Sequence, residues 1–87
     1  MYLIYGKKQC PYCDKAKALL NMKGLPFDYV DIEENQHNLE SLMAMMRATD
    51  QPMPRTVPQV FLIETNSRGE VYKHIGGFTA LQTSLKS

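Results

Sequence analysis

Tyr2-Leu3-Ile4-Tyr5-Gly6-Lys7-Lys8-Gln9-Cys10-Pro11-Tyr12-Cys13-Asp14-Lys15 decides how this chain folds. Tyr2 to Tyr5 is a short run of aromatic and branched residues, which is strand chemistry, and Gly6 frees the backbone to turn. Lys15 to Met22 reads as a helix. Ala16, Leu19 and Leu20 fall at i, i+3 and i+4 on one apolar stripe, while Lys15, Lys17 and Lys23 take other faces. Both cysteines of the protein therefore lie where a strand hands over to a helix. The first turn of a helix leaves backbone N–H groups unpartnered, and the macrodipole places about half a positive charge there. Cys10 fits the N-cap, with its sulfur toward the N–H groups of Tyr12 and Cys13. Pro11 then takes the first helical position, where its missing N–H costs nothing. Lys7 and Lys8 add positive charge nearby, so the setting favours a thiolate at Cys10.

Gly24 and Pro26 stop that helix, and Phe27 to Ile32 is a second strand. The intervening helix makes it parallel to the first. Glu33 to Asn38 is polar and opens a second helix with Asn35 as its cap; Leu39, Leu42, Met43 and Met46 then form a helical stripe. Methionine fills irregular core gaps, so that stripe reads as packing rather than a metal site. Thr49 to Pro58 is irregular, since Pro52, Pro54 and Pro58 leave no room for a helix. Gln59 to Ile63 and Val71 to Ile75 are strands joined through Asn66-Ser67-Arg68-Gly69, an antiparallel hairpin. Gly76-Gly77 breaks it. Thr79 is expected to cap a last helix, with Gln82 completing a capping box and Leu81 and Leu85 facing the core.

The order is β-α-β-α-β-β-α, an α/β fold read as one domain over residues 1–87. At 87 residues the core is modest, and a cysteine pair this close in sequence closes too short a loop to staple it. The cysteines are thus free for chemistry. A net charge of +1 gives no reason to expect nucleic acid or a membrane as partner. No apolar run approaches the ~20 residues of a membrane span, and no signal peptide is apparent. A lone cysteine pair suits a reducing compartment, so a cytoplasmic protein is expected. A zinc or copper site is the alternative use of the cysteines. Structural zinc needs four ligands, and His37 and His74 stand at no recognised spacing from the pair. Copper chaperones normally place Met two residues before the motif, where this chain has Lys8.

Three segments in order then carry a family resemblance: Cys10-Pro11-Tyr12-Cys13 after a strand ending Ile-Tyr-Gly, Arg55-Thr56-Val57-Pro58-Gln59-Val60-Phe61, and Ile75-Gly76-Gly77-Phe78. Together they resemble a dithiol glutaredoxin, in a compact form similar to phage glutaredoxins. The resemblance implies a thioredoxin-like fold, a four-stranded mixed sheet with three helices. It implies a monomeric oxidoreductase that reduces protein disulfides and protein–glutathione mixed disulfides. Glutathione would be co-substrate, with no tightly bound cofactor and no metal, and ribonucleotide reductase would be one acceptor.

Within that resemblance Cys10 is the nucleophile and Cys13 the second attacker. Lowering a thiol pKa from about 8.5 to ~5 raises the thiolate fraction at neutral pH roughly thirtyfold. It weakens the nucleophile by roughly 25- to 60-fold, so the two nearly cancel. The advantage of an acidic Cys10 is as a leaving group when Cys13 or free glutathione attacks the mixed disulfide. Lys7 would hold the glycine carboxylate of glutathione, and Tyr12, in the exposed first turn, would form a contact wall. Arg55 and Thr56 belong to the matching loop, and Val57-Pro58 would be cis, with Val57 pairing its backbone to the tripeptide. Gly77, Phe78 and Thr79 would meet the γ-glutamyl end, the helix N–H groups taking its carboxylate.

Here the chain departs from the family. Many members carry Cys-Asp or Ser-Asp and another acid after the two glycines, where this sequence has Phe78-Thr79-Ala80. Thr79 cannot supply the charge for the γ-glutamyl ammonium. A redoxin reduced by thioredoxin reductase is therefore the rival enzyme, and an iron–sulfur cluster module is the rival of another class. Pro11 weighs against the cluster, because cluster-binding members tend to have Gly or Ser in the motif.

Overall fold

The computed structural model describes residues 1–86. Its elements run β1 (Tyr2–Gly6), α1 (Pro11–Met22), β2 (Phe27–Asp31), α2 (Gln36–Ala48), β3 (Gln59–Asn66), β4 (Gly69–Gly76) and α3 (Phe78–Ser84). The sheet order is β2-β1-β3-β4. β1 is parallel to β2, with Ile4 opposite Tyr29, and antiparallel to β3, with Ile4 opposite Val60. The long crossover through α1 permits the parallel pair, and the short turn between β3 and β4 makes them antiparallel.

Alternation along the central strands divides the core in two. Ile4 and Val60 point to one face, where they pack with Ala16 and Leu20 of α1 and Leu81 of α3. Tyr5 and Phe61 point to the other, against Leu42 and Met46 of α2, their rings edge-to-face at 5.7 Å. The α1 stripe read from sequence is the face buried in the first cluster, but of the α2 stripe only Leu42 and Met46 are buried, and Leu39 and Met43 stay half-buried outside the cluster. Leu19 and Leu85 pack at the margin of the first cluster, and Met45 at that of the second.

The helix ends explain where each element stops. Asn35 caps α2, its Oδ1 accepting from the Asn38 N–H at 2.9 Å. α1 closes in a Schellman motif: the Gly24 N–H donates to Asn21 O (3.1 Å) and the Leu25 N–H to Leu20 O (2.9 Å). Gly24 sits at φ 69°, the left-handed conformation that this closure requires. α2 ends the same way on Asp50, at φ 58°.

The hairpin is longer than the apolar pattern implied, because polar Glu64 to Asn66 and Glu70 continue the ladder to an Asn66↔Gly69 pairing. The start of α3 differs from expectation. Gly77 is the N-cap, without a side-chain hydrogen bond, and Thr79 is the second helical residue rather than the cap. The first turn closes earlier, Leu81 N–H donating to Gly77 O at 3.0 Å, and Phe78 at the first position packs against the core. Packing of the half-buried Phe78 ring against the first core cluster places the helix start at this residue.

Candidate active site

Cys10 occupies the N-cap of α1 in extended backbone (φ −139°, ψ 98°), and Pro11 begins the helix. Its Sγ accepts from the Cys13 N–H at 3.1 Å. Of the two amides expected to face the sulfur, the one at the third helical position makes the bond. Cys10 and Cys13 are joined as a disulfide. Cys10 is 6% exposed and Cys13 fully buried, so an incoming sulfur meets Cys10 first.

Three neighbours set this geometry. A Cβ on Gly6 would stand 2.8 Å from Cys13 Sγ, so the bare strand end is what lets the buried cysteine sit there. The Tyr29 hydroxyl donates to Lys7 O at 2.7 Å, fixing the loop before Cys10. Burial, aided by Asp31 and Asp14, raises the Tyr29 phenol above its ordinary pKa, so it stays a donor. Lys17 Nζ lies 4.1 Å from the Tyr29 ring centroid and 3.5 Å from Asp14.

The third neighbour is the loop after α2. Val57-Pro58 is cis, Pro58 is buried, and Val57 O lies 3.8 Å from Cys10 Sγ. Neither Val57 N–H nor Val57 O takes part in a backbone hydrogen bond among the described residues. Buried Gln59 holds this loop: its Nε2 donates to Thr56 O at 2.9 Å, and its Oε1 accepts from His74 Nε2 at 2.8 Å. Since Gln59 donates through its nitrogen, His74 must carry the proton on Nε2. Burial lowers the His74 pKa, which keeps the ring neutral, and it packs edge-on against Phe61 at 5.2 Å. His74 is thus a structural donor. Among the described residues no three His, Cys, Asp or Glu side chains converge as a metal-binding group.

Two grooves meet at Thr56 and Val57. One, of about 240 Å³, is lined by Lys7, Glu33 and Arg55 together with apolar residues. The other, of about 650 Å³, is lined by Tyr12, Pro58, Gly77, Phe78, Thr79 and Ala80. The structure therefore brings Lys7, Tyr12, Arg55, Thr56, Val57, Pro58, Gly77, Phe78 and Thr79 to the grooves beside the disulfide, whereas Lys8, His37 and His74 line neither. Sequence reading missed Gly6, Tyr29, Gln59 and His74 as positioning residues, and each acts through a contact remote in the chain.

The comparisons agree with this arrangement. The glutaredoxin family model matches residues 3–65. Glutaredoxin 3 of Escherichia coli K12 is 38% identical over 74 residues, spanning 85% of this chain and 72% of that protein. The glutaredoxin of enterobacteria phage T4 is 32% identical over 94 aligned positions, spanning 99% and 100%. Among solved structures, wheat glutaredoxin superposes with a TM-score of 0.71 at 29% identity, over 99% of this chain and 71% of that one. A buckwheat glutaredoxin–glutathione complex gives 0.68 at 26% identity, over 95% and 66%. An α/β chain with this topology, these matches and a Cys10–Cys13 disulfide at a helix N-cap is a member of the glutaredoxin family, with the redox-active disulfide of a thiol–disulfide oxidoreductase.

Proposed function

We propose that this protein is a glutathione-dependent thiol–disulfide oxidoreductase that reduces protein disulfides and protein–glutathione mixed disulfides. The observation that carries the reading is Cys10 at the N-cap, its sulfur bonded by the Cys13 N–H and flanked by Val57, whose N–H and C=O make no backbone hydrogen bond among the described residues. The N–H bond and the helix dipole stabilise a Cys10 thiolate, so it leaves readily once the mixed disulfide is attacked.

In the reaction the Cys10 thiolate attacks one sulfur of the substrate disulfide and expels the other as a thiolate. Cys13 then attacks Cys10 Sγ, releases the second substrate thiolate and closes the Cys10–Cys13 bond. Two electrons pass to the substrate, and two glutathione molecules restore the dithiol. Glutathione lies with its glycine carboxylate toward Lys7 and Arg55 and its peptide along Val57. Its γ-glutamyl end lies toward Gly77, Phe78 and Thr79. The protein works as a cytoplasmic monomer. Among protein disulfides, we propose that of ribonucleotide reductase as one acceptor.

The groove at Phe78 and Thr79 supports a second reading, reduction by thioredoxin reductase, because no acid there meets the γ-glutamyl ammonium. Reduction of a glutathionylated peptide, coupled separately to glutathione reductase and to thioredoxin reductase, separates the two. Turnover only with glutathione and its reductase is expected. Turnover only with thioredoxin reductase would overturn the proposal.

A further inference from the structure

The two grooves beside Cys10 differ in kind. The smaller carries two cations, Lys7 and Arg55, and one carboxylate, Glu33, so its lining is net positive. The larger has no side chain that is charged at neutral pH, and its wall is a pair of rings, Tyr12 and Phe78, 6.2 Å apart and tilted by 37°. Tyr12 is 56% exposed, with Lys15 Nζ 4.9 Å from its ring centroid, whereas Phe78 is anchored against the core. Between the grooves runs the backbone of Val57, free to pair with an extended chain whose sulfur meets Cys10.

A zwitterionic γ-glutamyl group seated in the larger groove gives up water around its ammonium without gaining an anion, which is unfavourable. An aromatic or large aliphatic side chain gains buried area there, and an aromatic one gains offset ring contacts as well. The geometry points to a preferred substrate class: protein disulfides in which an aromatic or large aliphatic residue immediately precedes the attacked cysteine and an acidic residue follows it. The preceding side chain seats against Tyr12 and Phe78, and the acid faces Lys7 and Arg55. This rests on the proposed glutathione reading, which places the C-terminal side of the cysteine over the two cations. The exchange is the one given above: Cys10 bonds to the peptide sulfur, the sister peptide leaves as a thiolate, and Cys13 releases the first.

Symmetric disulfide dimers of acetyl-X-Cys-Asp-amide, with X as Phe, Leu, Ser or Glu, test the preference without glutathione present. They are mixed with pre-reduced protein well below saturation, quenched in acid and separated, with bis(2-hydroxyethyl) disulfide as a reference lacking side chains. The Phe and Leu dimers are expected to react roughly tenfold faster than the Ser dimer, a size of discrimination typical of apolar pockets. The Glu dimer is expected to be slowest. Phe78→Ser should reduce the Phe-to-Ser ratio to below about threefold. Because Phe78 also packs in the core, exposed Tyr12→Ser serves as the second variant and should lower the same ratio. Equal rates for the Phe and Ser dimers, with the reference still reduced, would overturn this inference alone. So would a preference unchanged in the folded variants. Failure to reduce any disulfide would overturn the oxidoreductase reading, and this inference with it.

Discussion

Gly6→Ala tests whether the end of β1 is shaped around the buried cysteine. The added carbon would lie 2.8 Å from Cys13 Sγ and press on the Tyr29 hydroxyl. Favourable contacts between carbon atoms lie at about 3.5–4.0 Å, so something must move. Neither neighbour yields easily. Cys13 is fully buried within α1, and Tyr29 is tied to Lys7 O. Overpacking of this kind costs about 1–3 kcal/mol. For a domain of this size each kcal/mol shifts Tm by about 4–8 °C, so a fall of roughly 4–24 °C is expected. Function should split as well. Displacing Cys13 by about 1 Å can slow a positioned reaction by ~10²-fold, so protein-disulfide reduction, which needs Cys13, should fall steeply. Deglutathionylation, which needs only Cys10 and free glutathione, should fall less. Calorimetry on oxidised and reduced protein and the two rate measurements check this. Unchanged Tm and unchanged dithiol reduction would refute the packing argument.

Thr79→Ala should change stability by no more than about 0.5 kcal/mol, because Thr79 is exposed and does not cap α3; a larger loss by urea unfolding would restore it as the cap. Thr79→Asp should strengthen glutathione binding by less than about sixfold, measured by titration in a Cys10→Ser background, since an exposed ion pair contributes about 0.2–1 kcal/mol. That gain should shrink with salt, and no gain at low salt would remove Thr79 from the glutathione site. His74 has a folded pKa lowered from 6.5 by burial, so its contribution to stability is complete above that value and is lost as pH falls through the folded value. Between pH 7.5 and 5 the wild type should therefore lose more stability than His74→Gln in urea titrations, and equal losses would refute a neutral His74. Cys10→Ser should lose all thiol transfer, whereas Cys13→Ser should keep deglutathionylation and lose most protein-disulfide reduction; a Cys13→Ser protein inactive toward glutathionylated peptide would favour the thioredoxin-reductase reading.

How much of this was legible in the sequence depended on whether the cause was local. Period and capping show at short range, so β1, α1, the Asn35 cap and the Gly24 stop could be read directly. The polar outer half of the β3–β4 hairpin has no apolar alternation, and its extent comes from the backbone ladder that continues to Asn66↔Gly69. Thr79 resembled a cap because hydroxyl residues favour that position. Gly77 won because Phe78 is drawn into the core, which is a tertiary effect. The cysteine pair was visible because two thiols at a helix start suit redox chemistry, and the two groove-lining segments were visible only through their resemblance to the glutaredoxin family. Their supports were not. Tyr29 meets Lys7 from 22 positions away, and His74 meets Gln59 from 15. Neither pairing leaves a pattern in the chain, and only the sheet brings the partners together.

In the proposed reaction Cys10 attacks because the helix N-cap favours its thiolate, while Cys13 lies behind it. The most direct measurement is the rate of iodoacetamide alkylation of each cysteine in fully reduced protein across pH 5–9, with the sites resolved by peptide mass spectrometry. Cys10 should be labelled well before Cys13 at pH 6, with a titration midpoint below the ordinary thiol value of about 8.5. Equal labelling of the two cysteines, or labelling of Cys13 first, would contradict the account.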